Sequence, residues 1–75
     1  MEEVWFEGVV RDFDDAEGVG VIESSATPDG CWVHYSMIER SGRKTLEVGQ
    51  RVSFTFESCN QDGFATRVVC LRPLL

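Results

Sequence analysis

Residues 31–35 read C-W-V-H-Y, setting a thiol, an indole, an imidazole and a phenol within five positions. Such residues serve four chemistries: metal ligation, catalysis, redox pairing and aromatic stacking. A zinc site would need His34 together with Cys31, Cys59 and Cys70, yet these lack the close local pairing that zinc ligands show. Three widely spaced cysteines with no C-x-x-C argue against a disulfide framework and fit a reducing cytoplasm. Cys31 and Cys70 lie in apolar runs and read as buried structural thiols. A lone histidine without a placed nucleophile or carboxylate dyad carries no catalysis, so neither enzyme activity, metal nor cofactor is expected. Gly18 and Gly20 do not build a phosphate-binding G-x-G-x-x-G, because Glu23 holds the third position and no helix follows. Stacking remains, and it requires that the rings face outward.

The elements that would position them are short strands. Val4 to Phe13, Gly18 to Glu23, Cys31 to Tyr35, Arg51 to Glu57 and Phe64 to Leu71 are rich in β-branched and aromatic residues. Pro28-Asp29-Gly30 and Asp62-Gly63 are turn signals between them. In R-V-S-F-T-F-E, Val52, Phe54 and Phe56 point one way and Ser53 and Thr55 the other. Ser36 to Gln50 allows one short helical or 3₁₀ turn at S-M-I-E, and Gly42 and Gly49 argue against a longer helix. Seventy-five residues with 43% hydrophobic content make a single domain, 1–75. Five short strands with internal glycines predict an all-β fold, a small closed barrel in which Gly8, Gly18 and Gly20 permit tight curl.

Alternation then assigns faces. With Ile22 and Val33 turned to the core, Gly18, Gly20 and Cys31 point inward. Val19, Val21, Trp32 and His34 point outward as an apolar patch with polar handles, the kind of surface that marks binding. Trp5 and Phe6 are expected to close the barrel end or to form an oligomer contact.

Charge constrains the partner. The net charge is −6, distributed as nine acids against Arg11 in residues 1–30 and four acids against six bases in residues 31–75. An acidic chain is a poor generic polyanion binder, so affinity for nucleic acid must come mainly from contacts other than phosphate pairing. No apolar run approaches the roughly 18 residues of a membrane span, and the acidic N-terminus is unlike a secretory signal. A soluble, cytoplasmic chain without membrane contact is expected.

Several blocks now carry a resemblance. G-V-V-R-D-F-D (Gly8 to Asp14), E-G-V-G-V-I (Glu17 to Ile22), C-W-V-H-Y-S (Cys31 to Ser36) and R-K-T-L-E-V-G-Q-R-V-S-F (Arg43 to Phe54) resemble the successive motifs of bacterial cold-shock proteins, from about Glu7 to Leu71. The resemblance implies a five-stranded antiparallel OB-fold barrel that binds single-stranded RNA or DNA by stacking bases on its outer face, as an RNA chaperone or regulator. It places stacking residues at Phe13, Trp32, His34 and Tyr35 and a phosphate-facing cation at Arg11. Arg43 and Lys44 supply charge where the family's loop has an aromatic. Departures are Asp12 for an exposed Trp, Glu17 for a Lys, and Val19 and Val21 for two Phe. Base stacking is worth about 1–3 kcal/mol per base, so these losses predict weak binding of low sequence specificity. The alternative is a barrel repurposed for a protein partner or a homodimer through Val19, Val21 and Trp32.

Overall fold

A computed structural model describes residues 4–39, 45–61 and 63–74. Five strands, β1 (Phe6–Asp14), β2 (Val19–Ser24), β3 (Thr27–His34), β4 (Arg51–Gln61) and β5 (Phe64–Pro73), close into a barrel in the order β1-β2-β3-β5-β4. A single 3₁₀ turn, Tyr35–Met37, follows β3 where one was expected. Four of the pairings are antiparallel, and β3 meets β5 in parallel through Trp32 and Arg67. The parallel seam is a matter of parity. Strands cannot alternate up and down around a ring of five, so at least one neighbouring pair must run the same way.

The core is the inward set. Val10, Ile22, Cys31, Val33, Ile38, Leu46, Val52, Phe54, Val68 and Leu71 are buried, with Phe6, Phe13, Met37 and Phe56 packed around them. Phe6 sits against Phe54 and Phe56, with ring centroids 6.4 and 5.2 Å away. Trp5 lies under the Arg72 guanidinium at 4.3 Å, and Arg72 Nε donates to Glu39 Oε1 at 2.9 Å. That bond holds the Glu39 carboxyl below its ordinary range. Cys31 is buried as expected, whereas Cys70 is only half-buried.

Two features, one in β4 and one before β3, depart from the sequence expectation. In β4 the register shifts between Thr55 and Phe56. Thr55 therefore turns inward, where its Oγ1 accepts from the Cys70 amide at 3.2 Å, while Phe56 is left half-buried. The second concerns the turn before β3. It falls at Ser25-Ala26, and Pro28-Asp29-Gly30 lies within the strand. Ser24 explains the placement: its hydroxyl donates to the Glu7 carbonyl at 2.8 Å and accepts from the Ala26 amide at 3.2 Å. A side chain has taken the role given to the Pro-Asp-Gly signal.

Gly20 marks a close approach between β1 and β2. A Cβ there would run into the Asp12 carbonyl oxygen and come within 2.7 Å of the Phe13 ring. The second glycine of E-G-V-G-V-I is thus required by its neighbours and not by its own backbone angles.

Candidate nucleic-acid interface

On β3 the alternation holds without interruption from Cys31 to His34. Cys31 and Val33 are buried, and Trp32 and His34 turn outward, each half-buried. Their cross-strand partners on β2 are Val21 and Val19. Trp32 and His34 stack with centroids 6.0 Å apart and planes 25° from parallel. The 3₁₀ turn then brings the Tyr35 ring 4.5 Å from His34. Three rings thus form a continuous row across the outer face.

Local bonds hold the row. His34 Nδ1 accepts from the Ser36 amide at 3.3 Å and lies 2.8 Å from the Ser36 hydroxyl. With Nδ1 accepting, the neutral imidazole carries its proton on Nε2. The Tyr35 amide donates to the Gly18 carbonyl at 2.8 Å, and its ring lies against Gly18, where a Cβ would be 2.5 Å from Cδ1. Tyr35 remains 46% exposed.

On β1 a register shift between Val10 and Asp12 changes what the sequence suggested. Beyond it Asp12 pairs with outward Val21, and Phe13 pairs with inward Gly20. Phe13 therefore packs against the core and is half-buried, instead of lying on the outer row with Trp32. Arg11 is exposed at the shift. A Cβ on Gly30 would stand 3.0 Å from one Arg11 guanidinium nitrogen, 3.0 Å from Val21 and 3.3 Å from the Phe64 ring. The Arg11 side chain thus crosses β2 to reach β3. Arg43 and Lys44 lie outside the described residues.

Electrostatically the face is unusual. Arg51, Arg67 and Arg72 are each tied to a carboxylate, Glu7, Glu57 and Glu39 respectively. Among the described residues Arg11 is the arginine without an ion pair. Beside the aromatic row opens a groove of about 300 Å³ lined by Asp12, Asp14, Glu17, Val19, Val21, Trp32 and Phe64. Phe64 was not among the residues singled out from the sequence. Its signal was an aromatic directly after Asp62-Gly63, but only the β3–β5 seam brings it next to Trp32. A larger groove of about 480 Å³, bounded by Glu7, Val9, Glu23, Ser24, Pro28 and Arg51, has no aromatic wall.

Residues 6–71 match the model of the 'Cold-shock' DNA-binding domain. The chain belongs to the cold-shock domain family. Its relatives include the major cold shock protein CspA of Bacillus cereus, 42% identical over 85% of this chain and 94% of that protein. The cold shock-like protein CspD of Haemophilus influenzae is 32% identical over 83% of this chain and 86% of its own length. A solved structure of Drosophila Unr, CSD456, superposes with a TM-score of 0.75 at 16% identity, covering 97% of this chain and 28% of that one, a likeness of fold. Cold-shock proteins are non-enzymatic nucleic-acid binders. Every base offers a π-face, so aromatic platforms can hold a strand without a strongly basic surface.

Proposed function

We propose that this cold-shock domain binds single-stranded RNA or DNA weakly, by stacking bases on Trp32, His34 and Tyr35, and acts as an RNA chaperone or regulator in the cytoplasm. The observation that carries the reading is the continuous row of those three rings on the outer face. Arg11 meets phosphate at one side, and Arg43 and Lys44, outside the described residues, add positive charge. Val19 and Val21 supply apolar contact between rings, and Phe13, half-buried, is a secondary contact. Weakness follows from valines and Asp12 standing where relatives of the resembled pattern carry rings, at about 1–3 kcal/mol for each stacked base. The free thiols of Cys31, Cys59 and Cys70 accord with a reducing compartment. A protein partner or homodimer docking on Val19, Val21 and Trp32 has less support, since all three are half-buried and carboxylates surround them.

The test is an NMR titration with a single-stranded heptanucleotide of mixed sequence at low salt. Amides of Arg11, Val19, Val21 and Trp32 to Tyr35 should shift together, and Trp32→Ala should weaken binding about tenfold or more. Unmoved amides on β2 and β3 at large oligonucleotide excess would exclude the reading.

A further inference from the structure

The groove beside the aromatic row has two features that stacking alone does not use. Its walls come from different strands, Trp32 from β3 and Phe64 from β5, two strands joined by the parallel seam. Phe64 is held there by its surroundings. Gly30, at φ 90°, has no side chain, and the Phe64 ring edge, the Arg11 guanidinium and Val21 crowd the place where one would stand. The Phe64 carbonyl also accepts from the Cys59 thiol at 3.4 Å. The volume, about 300 Å³, is at the small end of sites that hold a small ligand.

The second feature is the rim, which carries three carboxylates. Asp12, Asp14 and Glu17 line the groove together with the two rings. Asp14 Oδ1 is engaged, accepting from the Ala16 and Glu17 amides at 2.9 and 3.2 Å. The carboxylates of Asp12 and Glu17 have no hydrogen-bond or ion-pair partner among the described residues, and the described cation that comes near the groove is Arg11, whose guanidinium lies beside Val21 and Phe64 at Gly30. Ionised carboxylates accept hydrogen bonds and donate none. They suit a flat aromatic ligand that carries donors on its edge, and they repel one whose edge is mostly oxygen.

Nucleobases differ in this respect. Guanine presents N1–H and the N2 amino group side by side, matching the two oxygens of one carboxylate. Cytosine and adenine offer a single amino group beside an acceptor nitrogen. Uracil and thymine offer one N–H flanked by two carbonyl oxygens, each of which would face the carboxylate. Unpaired bases are read on these edges while their faces stack.

We propose that the Trp32–Phe64 groove is a one-base slot that selects guanine over uracil or thymine, with Phe64 as its second wall and Asp12 and Glu17 as the groups that read the base edge. The proposal rests on the single-strand reading above, and it adds a preference at one position to a face otherwise tolerant of sequence. It also gives the acidic residues a use. Carboxylates that repel the sugar-phosphate chain keep it outside, while the base with paired donors enters and offsets that repulsion.

Calorimetric titration of the full chain with UUUGUUU, UUUIUUU and UUUUUUU, where I is inosine lacking the N2 amino group, tests it. The guanine heptamer should bind about tenfold more tightly than the all-uridine one, with the inosine heptamer between. In the double variant Asp12→Asn/Glu17→Gln the preference should collapse toward one, while affinity for UUUUUUU rises as repulsion is removed. Both side chains are exposed, and unchanged amide spectra will show that the fold is intact. Phe64→Ala should weaken the guanine heptamer most. Equal affinities for all three oligonucleotides overturn the slot and leave the stacking reading standing. Failure of every oligonucleotide to bind overturns both.

Discussion

Cys31 and Trp32 are adjacent, and opposite faces of one strand give them opposite lives. Trp32 is half-buried on the outer row, whereas Cys31 has no exposed surface and its thiol is pushed up to about 11, chiefly by burial. A thiol is reactive as the thiolate, so at pH 8 Cys31 is both shielded and protonated. Labelling with a thiol-specific disulfide reagent, mapped by peptide mass, should modify Cys59 and Cys70 first. Cys31 should follow only at the rate at which the barrel opens. Rapid labelling of Cys31 in the native protein would contradict the packing described. The outward direction of Trp32 and His34 was legible in the sequence because alternation runs unbroken from Cys31 to His34. The position of Phe64 was not, since its neighbour in space is more than thirty residues away in the chain.

Among the elements, β1 and β2 depend most on a single small residue. Gly20 sits where the Asp12 carbonyl and the Phe13 ring leave no room for a methyl group. Gly20→Ala should destabilise the barrel by about 1–3 kcal/mol, as overpacking of a tight site does. Urea unfolding would show it as a lower midpoint at unchanged slope, and an unaltered midpoint would mean that the two strands can separate freely. The five strands themselves were readable from composition and alternation. The register shifts after Val10 and Thr55 were not, because a bulge is a property of two paired backbones and needs no particular residue. Each shift moved side chains between faces: Phe13 toward Gly20, and Thr55 into the interior. The Pro28-Asp29-Gly30 signal misled for a related reason, since the hydroxyl of Ser24 had already set the turn.

At the scale of the whole molecule, charge and topology each set a limit. With three described arginines committed to carboxylates, the cations left for phosphate are Arg11 and, outside the described residues, Arg40, Arg43 and Lys44. Single-strand binding loses about 0.7 in log–log slope for each phosphate neutralised, so the salt dependence of affinity should be no steeper than about −3. Titrations at several salt concentrations measure that slope directly, and a much steeper one would mean that phosphate contacts dominate. Topology imposes an order in time. β5 is translated after the other four strands of the barrel, and it supplies the seam with β3, most of the pairing of β4, and Phe64. While only residues up to Gln61 have emerged from a ribosome, β3 and β4 each have an edge that lacks its β5 partner, the kind of edge that invites wrong pairing. The ring of strands therefore closes only once β5 has emerged, and a nascent chain stalled before that point keeps two open edges.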